Sequence, residues 1–307
     1  MKKILVATVK PFASEAIAGI QRIFDDAGYE LHLLEKYESQ DDLINAVKGV
    51  DAMIIRSDIA NKQVIKSGED LKIIVRAGAG YDNIDLTSAT DNGIVVMNTP
   101  GQNSNAVAEL AIGMMILIAR NNYDGKAGTE LKGKTLGLHA YGNVGKLVAG
   151  IATGLGMKIF AYDPFIDKSI MEKEGVMVVE KVEDLYANCR YVSLHIPANE
   201  NTTKSIDYSL LKGMPKGATL VNTARKEVIC EDSLKKMFAE REDFRYVTDI
   251  APDCREEIEK IYPGRFFFTP KKMGAQTAEA NINAGVAAAR QIVGLFERGD
   301  VTFQVNK

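Results

Sequence analysis

The sequence predicts an α/β protein with two domains, in which a doubly wound parallel sheet is inserted into a smaller α/β domain. Short runs rich in β-branched residues alternate with longer amphipathic segments, a pattern typical of parallel sheets covered by helices. The length of 307 residues accommodates two domains. The strand candidates also fall into two series, which a long apolar helix candidate after Asn103 separates.

The first series of strand candidates predicts the sheet of the first domain. It comprises the segments KILVATV, YELHLL, DAMIIR, LKIIVRA and GIVVMN. The second series comprises KTLGLHA, MKIFAYD, GVMVV, YVSLHI, ATLVNT, FRYVTDI and RFFFTP. The last helix candidate, NINAGVAAARQIVGLFERGD, follows the final strand, and we expect it to return to the first domain. The predicted domains are therefore 1–98 with 282–307, and 99–281.

The composition argues against several functional classes. A chain with 46% hydrophobic and 26% charged residues has ordinary globular composition. Its net charge of −3 offers no basic surface for nucleic acid or an anionic membrane. The cysteines, Cys189, Cys230 and Cys254, are widely spaced, so they predict no metal site and fit a reducing compartment.

The apolar segments do not predict targeting or membrane insertion. The N-terminal MKKILVATVKPF is typical of a first strand rather than of a signal peptide. The apolar run 106–119 is interrupted by Glu109 and is shorter than the roughly 18 residues that a membrane span needs. If that glutamate is buried, it needs a partner. We therefore expect a cytoplasmic protein without a membrane partner.

A glycine-rich turn follows the first strand of the second series. Strand TLGLHA runs into residues 140–145 and then into a helix, which matches the G-x-G-x-x-G dinucleotide fingerprint with Ala140 at its first position. The helix N-terminus offers N–H groups to a pyrophosphate. The alternative is a purely structural turn, because a methyl group must fit the bend at Ala140. The predicted cofactor-binding residues of this turn are Tyr141, Gly142, Asn143, Val144 and Gly145.

An acidic residue completes the nucleotide motif. Asp163 ends the next strand, close to the expected spacing of about 20 residues beyond the last glycine. Its carboxylate can accept hydrogen bonds from ribose hydroxyls and repels a 2′-phosphate, so the sequence predicts a Rossmann-type domain that binds NAD rather than NADP. His139 lies on the preceding strand, and we interpret it as a core residue.

Further motifs resemble one enzyme family along nearly the whole chain. Together with the nucleotide turn, they are similar to the D-isomer-specific 2-hydroxyacid dehydrogenases, and most of all to the short D-3-phosphoglycerate dehydrogenases, which lack an added regulatory domain. The resemblance implies a flavodoxin-like substrate domain, a homodimer and a phosphorylated 2-hydroxy acid as substrate. The motifs are IVRAGAGYDNID (74–85), NTPGQNSNAVAE (98–109), VSLHIPANENT (192–202) and LVNTARKEVI (220–229).

The resemblance also implies roles for individual residues. Arg225 of the NTAR motif would hold the substrate carboxylate and keto oxygen, a task suited to the planar guanidinium fork. A buried structural ion pair is the alternative for this arginine. The implied cofactor residues are His195, Pro197, Thr223, Ala224 and Asp249. The implied substrate residues are a backbone cradle at Ala77, Gly78, Ala79 and Gly80, phosphate ligands among Lys10, Arg56, Ser57 and Arg76, and Asn103.

The catalytic acid of the family is replaced in this sequence. Members of the family carry a His after Thr-Pro, paired with a Glu, whereas here TPKKMG provides Lys271 and Lys272, and Cys254 stands where the Glu is expected. We predict that Lys272 is the acid and base, with its pKa lowered by burial and by Arg225. Alignment from Gly274 places Lys272 at the position of the histidine, whereas alignment from Thr-Pro places Lys271 there, so Lys271 is an alternative acid. His195 is a further alternative.

Several possibilities remain open from the sequence. Asp253, Glu256 or Glu257 could supply the missing carboxylate. The substrate could be another D-2-hydroxy acid. Loss of both His and Glu also raises the possibility of an inactive protein that binds NADH as a sensor. The predicted function is NAD-dependent oxidation of D-3-phosphoglycerate to 3-phosphohydroxypyruvate, the first step of serine biosynthesis.

Overall fold

The computed structural model describes residues 1–306 and divides into two units. The first unit contains residues 1–103 and 276–307, and the second contains residues 104–275. The sequence predicts boundaries at 98 and 282 instead. Backbone bonding accounts for the difference, because Thr99 donates its N–H to Gly78 of the first unit and Thr277 caps the final helix.

The first unit is built on a parallel sheet of five strands. Its strands are β1 Lys3–Thr8, β2 Glu30–Glu35, β3 Ala52–Ile55, β4 Ile73–Arg76 and β5 Val95–Asn98, in the order β2-β1-β3-β4-β5. The helices between them are α1 Ser14–Asp26, α2 Gln40–Ala46, α3 Lys62–Ser67 and α4 Leu86–Asp91. The central strands are buried on both faces, because separate apolar clusters cover the two sides of the sheet.

The second unit is built on a parallel sheet of seven strands. The strands are β6 Thr135–His139, β7 Lys158–Tyr162, β8 Met177–Val178, β9 Tyr191–Leu194, β10 Thr219–Asn222, β11 Arg245–Thr248 and β12 Phe266–Phe268. Their order is β12-β11-β10-β9-β6-β7-β8, so the strand order reverses beside β6. In open α/β sheets, ligands bind at the carboxyl ends of strands at such a reversal. The predicted α/β fold class with two parallel sheets is therefore confirmed.

Helices cover both faces of this second sheet. They are α5 Ser104–Ala119, α6 Asn143–Gly154, α7 Lys168–Lys173, α8 Val182–Asn188, α9 Tyr208–Gly213, α10 Glu231–Glu240 and α11 Arg255–Ile261. Short 3₁₀ turns lie at Asn121–Tyr123 and Lys226–Val228. Within residues 1–306, no helix combines the length and apolar character needed to cross a membrane.

The final helix, α12 Ala278–Arg298, belongs to the first unit. Its small residues, including Ala284 and Ala288, pack in the same apolar cluster as Ile20 and Phe24 of α1. Thr277 caps its first turn, and Gly299 ends it with a left-handed φ of 64°. The expected return of this helix to the first domain is what the structure shows.

Candidate active site

The turn after β6 has the geometry of a dinucleotide loop. Ala140 adopts a φ of 86°, which a residue with a side chain rarely takes, so the tight bend forms although glycine is absent there. A Cβ at Gly145 would lie 2.5 Å from the carbonyl oxygen of Ala140, so position 145 requires glycine. Gly142 and Asn143 are exposed at the start of α6. Their backbone therefore presents the positive end of a helix to solvent.

Asp163 is held at the end of β7 by backbone N–H groups. Its Oδ2 accepts a hydrogen bond from Tyr141 N at 2.8 Å, and its Oδ1 accepts one from Phe165 N at 2.9 Å. Each carboxylate oxygen retains a second lone pair for a ribose hydroxyl. The loop and the acidic residue are therefore joined directly, as ribose recognition next to the phosphate loop requires.

The Tyr141 side chain does not face the nucleotide turn. It is 1% exposed in the apolar core, and its hydroxyl donates to Glu174 Oε2 at 2.6 Å. Burial raises the pKa of this phenol. Because the Tyr141 N–H is committed to Asp163, only the carbonyl of this predicted cofactor residue is left for a ligand. Val144 also packs against the core.

Two histidines lie beside the turn in an uncharged state. His139 is buried with Nδ1 3.2 Å from the Tyr186 hydroxyl, and burial lowers its pKa to about 4. Burial first, and His139 second, lower the pKa of His195 to about 3. Both side chains are therefore neutral near pH 7, which argues against His195 as a proton donor. Pro197 follows on the exposed side of the same segment.

Asn222 shapes the loop that carries Arg225. Its side-chain oxygen accepts from Ala224 N, and its amide donates to the Arg225 carbonyl, each at 2.9 Å. Thr248 Oγ1 donates to the Asn222 carbonyl at 2.7 Å. This buried asparagine was not singled out from the sequence. A signal was present, because Asn222 directly follows the apolar pair Leu-Val and begins the NTAR motif, where the strand ends. It fixes the backbone from which the arginine extends.

Arg225 and Lys272 share one acceptor. The Arg225 guanidinium donates through Nη1 to the carbonyl oxygen of Ala224 at 3.0 Å, and Lys272 Nζ donates to the same oxygen at 3.3 Å. The two predicted catalytic cations therefore converge on a single backbone atom. The neighbouring Lys271 is exposed, and its carbonyl accepts from Thr269 Oγ1 at 2.7 Å.

The expected burial of Lys272 is not observed. Its side chain is exposed, because the chain leaves the sheet at Phe268 and residues 270–273 follow the surface. The prediction that burial lowers the pKa of this lysine is therefore wrong for the structure as it stands. Arg225, the second predicted cause, is present on the same acceptor.

Asp249 anchors the lysine segment. It is fully buried, and its Oδ2 accepts from Met273 N at 3.2 Å and from Gly274 N at 2.6 Å. Burial raises the pKa of Asp249, while the two N–H donors and the charges of Lys272 and Arg225 oppose that rise. Its Oδ1 is buried without a hydrogen-bond partner among residues 1–306. The anchoring role was not predicted from the sequence.

Of the three carboxylates considered as replacements for the missing Glu, two lie beside lysines and the third is exposed. Asp253 pairs with Lys226 at 2.5 Å, and Glu257 lies 3.9 Å from Lys235. Glu256 is exposed on α11. Cys254 donates its backbone N–H to Glu231 Oε2 at 3.0 Å, and burial raises the pKa of its thiol to about 12. The thiol is therefore neutral near pH 7.

The first unit contains the predicted substrate cradle after β4. Gly78 has a φ of 148°, and a Cβ there would collide with Arg76 Nη1 at 1.4 Å, so glycine allows the arginine to fold back. Ala77 donates its N–H to the Ile55 carbonyl at 2.8 Å. The expectation that Ala77 offers its N–H to a carboxylate is therefore wrong, and positions 78–80 are left as candidates. Asn98 Nδ2 supports the turn by donating to the Ala79 carbonyl at 2.6 Å.

Arg56 is mainly a structural residue in this unit. Its Nη1 donates to the carbonyls of Lys10 and Pro11 at 3.0 and 3.2 Å, and its Nη2 donates to Asn281 Oδ1. The guanidinium also lies 5.0 Å from the Phe12 ring centroid. Few of its donors are left for a phosphate.

The other candidates of the first unit are more accessible. Lys10 and Ser57 are exposed, and Asn103 is half-buried at the end of the loop that follows β5. Glu109 of the second unit is also exposed and accepts from Asn105 Nδ2 at 2.7 Å, so the buried-charge concern does not apply. Buried Asp58, which the sequence did not single out, ties β1 to β3 by accepting from Val9 N and Arg56 N.

Comparison with known proteins decides the family. The sequence profile of "D-isomer specific 2-hydroxyacid dehydrogenase, NAD binding domain" matches residues 107–260. The chain belongs to the D-isomer-specific 2-hydroxyacid dehydrogenase family. As a member of this family it is an NAD-dependent enzyme, and the predicted cofactor is confirmed.

Several relatives of this 2-hydroxyacid dehydrogenase are known. It is 35% identical over 283 residues to a hydroxypyruvate reductase from Thermotoga maritima, covering 86% of this chain and 90% of that one. It is 35% identical to a D-3-phosphoglycerate dehydrogenase from Methanocaldococcus jannaschii, covering 83% of this chain and 51% of that one. The chain thus spans about half the length of the curated D-3-phosphoglycerate dehydrogenases that it matches.

A solved structure supports the same assignment. The NAD⁺-bound 3-phosphoglycerate dehydrogenase of Entamoeba histolytica is 50% identical, with a TM-score of 0.90 and coverage of 100% of this chain and 99% of that one. Structures such as D-2-hydroxyisocaproate dehydrogenase, at 20% identity and a TM-score of 0.83, share the fold.

The residues of this 2-hydroxyacid dehydrogenase fit NAD. Asp163 and the start of α6 are not the only groups suited to a polar ligand. Thr223 Oγ1 and Asp249 Oδ1 are also buried without a hydrogen-bond partner within residues 1–306. Both follow carboxyl ends of neighbouring strands, β10 and β11, the edge at which open α/β sheets bind their ligands. Among those same residues, no cluster of His, Cys, Asp or Glu could hold a metal ion.

Proposed function

We propose that the enzyme oxidises D-3-phosphoglycerate to 3-phosphohydroxypyruvate with NAD, with Arg225 orienting the substrate and Lys272 acting as base. The observation that carries this proposal is the shared acceptor, because the Ala224 carbonyl brings the guanidinium and the ammonium together. The match to phosphoglycerate dehydrogenases at 50% and 35% identity supports the choice of substrate. Such a reaction is the first step of serine biosynthesis.

The chemistry divides between the two side chains. Bound NAD would supply the hydride acceptor for the carbon that bears the hydroxyl. Arg225 presents paired N–H donors, which suit a carboxylate together with the neighbouring oxygen. Lys272, as the neutral amine, removes the hydroxyl proton, and in the reverse direction its ammonium returns that proton to the keto oxygen. Two charged groups of opposite sign act on the pKa of this lysine.

The tuning groups are Arg225 and Asp249. The positive guanidinium favours the neutral amine, whereas the carboxylate favours the ammonium. The interaction is reciprocal, because both cations stabilise the charged form of Asp249. Asp249 also fixes the backbone of residues 273 and 274. It therefore positions Lys272 as well as favouring its protonated form. This arrangement takes the place of the histidine and glutamate pair of the family.

Reduction of hydroxypyruvate is the second candidate function. It is favoured by the hydroxypyruvate reductase of Thermotoga maritima, which aligns over 90% of its length. The two functions differ in whether the substrate carries a phosphate. The cationic side chains of the first unit, Lys10, Arg56 and Arg76, favour the phosphorylated substrate, although Arg56 is largely engaged.

Substrate comparison tests the proposal. Reduction of 3-phosphohydroxypyruvate and of hydroxypyruvate by NADH is followed at 340 nm with the same enzyme preparation. We expect kcat/KM to be at least about 100-fold higher for the phosphorylated substrate, since hydrogen bonds to a charged phosphate contribute up to roughly 3 kcal/mol. Equal values would contradict the phosphoglycerate assignment. NADH binding without turnover of either keto acid would identify a cofactor-binding protein instead.

A further inference from the structure

A cationic cluster lies at the edge of the seven-stranded sheet that is opposite to the nucleotide turn. Lys134 directly precedes β6, Arg190 directly precedes β9, and Arg245 begins β11. These positions are the amino ends of parallel strands, whereas Asp163, Thr223 and Asp249 follow carboxyl ends. The cluster is therefore not part of the site described above.

The ammonium of Lys134 is the unusual member of the cluster. Its Nζ is buried and has no hydrogen-bond partner anywhere in residues 1–306. A buried ammonium without a partner is strongly unfavourable, and almost all such groups in proteins are paired or bind a ligand or ordered water. Burial lowers the pKa of Lys134, and the nearby charges of Arg190 and Arg245 lower it further. The carboxylate of Glu130 opposes them.

The two guanidinium groups are held in place by backbone carbonyls. Arg190 donates through Nε to the Gly217 carbonyl at 3.1 Å, and its guanidinium packs so closely that a Cβ at Gly217 would lie 2.8 Å from Nη2. Arg245 donates through Nη1 to the Ile118 carbonyl at 2.6 Å. These contacts fix two positive charges near Lys134. Each guanidinium carries five N–H donors, and these bonds to carbonyls use one donor of each.

The chain beside the cluster is strained. Asn121, Asn122 and Tyr123 have φ values of 50°, 54° and 56°, so three consecutive residues with side chains occupy the left-handed region. Each such residue costs on the order of 1 kcal/mol. Arg245 Nη2 holds the turn by donating to Asn121 Oδ1 at 3.1 Å. The surrounding structure therefore maintains an unfavourable turn at the point where it meets the cationic cluster.

We infer that Lys134, Arg190 and Arg245 form a binding site for a phosphate dianion or phosphomonoester, separate from the catalytic site. The charges of Arg190 and Arg245 act on Lys134 together with that of Glu130, so the balance is positive and a ligand with two negative charges matches the cluster. Phosphate oxygens accept hydrogen bonds from the ammonium and from guanidinium forks. Occupancy would stabilise this edge of the sheet, so the site would act on the enzyme from outside the reacting centre.

Thermal unfolding of the full chain with inorganic phosphate tests the inference. The midpoint temperature is measured with saturating NADH at increasing phosphate and in chloride of equal ionic strength. We expect a rise in Tm with the logarithm of phosphate concentration, as for any ligand of the native state. Lys134→Met should lose that rise, while Lys132→Met, which alters an exposed neighbour, should keep it. In chloride, Lys134→Met should melt at or above the native temperature, because a buried unpaired charge is removed.

A second variant keeps the test decisive if Lys134→Met does not fold. Arg190→Gln should shift the phosphate response to at least 10-fold higher concentration while leaving the response to NADH unchanged. Identical phosphate responses of the native chain, Lys134→Met and Arg190→Gln would overturn the inference. A native chain with no phosphate response, together with an altered sedimentation coefficient for Lys134→Met, would also overturn it and would mark the cluster as a protein interface.

Discussion

At the scale of single residues, the proposed assignment of the proton-transferring group rests on a shared acceptor. The Ala224 carbonyl accepts from both Arg225 and Lys272, whereas Lys271 contributes its backbone carbonyl to Thr269 Oγ1. The open choice between the two lysines thus has a geometric answer, which we propose is Lys272.

The first prediction concerns these two lysines. Lys272→Met should lower kcat/KM for 3-phosphohydroxypyruvate by about 10²- to 10⁴-fold, the range typical of a lost general acid. NADH binding, followed by fluorescence titration, should stay within a factor of two or so of the native value. Lys271→Met serves as the matched control and should retain the native rate. Equal losses in the two variants would show that both lysines act only through charge.

The second prediction concerns Asp249. Its carboxylate favours the ammonium form of Lys272, so Asp249→Asn should lower the pKa of that lysine. The neutral amine is the base in the oxidative direction, and the rate of 3-phosphoglycerate oxidation should therefore begin to rise at lower pH in the variant. Profiles of kcat/KM against pH measure this shift.

Asp253→Asn is the control for Asp249, because Asp253 pairs with Lys226. It should leave the pH profile of kcat/KM unchanged. A profile for Asp249→Asn that matches the native one would mean that Asp249 acts only by holding the backbone of residues 273 and 274.

At the scale of elements, the turn between β6 and α6 combines a strained residue with a required glycine. Ala140 has a φ of 86°, while a Cβ at position 145 would meet the Ala140 carbonyl at 2.5 Å. The first feature is a local cost in free energy, and the second is a steric limit. They give opposite expectations for glycine and alanine exchanges within one loop.

The third prediction uses this contrast. Ala140→Gly should raise the free energy of unfolding by up to about 1 kcal/mol, because the left-handed strain is relieved. Gly145→Ala should lower it by about 1–3 kcal/mol and weaken NADH binding, since α6 must move away from β6. Gly150→Ala, in the same helix with open space around it, should be neutral or stabilising. Urea unfolding measures all three, and a destabilised Ala140→Gly would contradict the strain argument.

The sequence predicted these elements better than the side chains on them. Alternating strand and helix periods are local patterns, so the two sheets and the return of the last helix could be inferred. The inward orientation of the Tyr141 side chain could not be inferred, because Glu174, which accepts from its hydroxyl, is distant in the sequence. The use of the Ala77 N–H by Ile55 likewise depends on strand pairing. The exposure of Lys272 depends on where the chain leaves the sheet, which periodicity does not reveal.

At the scale of the whole molecule, two neutral histidines, His139 and His195, link stability to pH. The folded-state pKa values of His139 and His195 are about 4 and about 3, below the ordinary value of 6.5. Between pH 6.5 and pH 4 the unfolded chain therefore binds more protons than the folded chain. Stability therefore falls as pH decreases from about 6.5 toward 4, and each histidine contributes at most about 3 kcal/mol over that interval.

The fourth prediction follows from this linkage. The urea midpoint of the native chain should decrease steadily between pH 7 and pH 5, and His139→Gln should show a smaller decrease. His32→Gln, which changes the remaining and exposed histidine, should behave like the native chain. If His139→Gln retains the full pH dependence, His139 does not carry the linkage.

The first unit closes around its sheet with residues from both ends of the described chain. Val305 donates its N–H to the Val96 carbonyl at 2.8 Å, and Asn306 accepts from Val96 N at 2.7 Å, so the segment after α12 covers the edge strand β5. During synthesis, this unit therefore stays incomplete until its last residues leave the ribosome, whereas residues 104–275 are already available to fold. Pulse proteolysis of a released chain that ends at residue 275 should show a protected second unit and a protease-sensitive first one, and equal protection would refute this order of assembly.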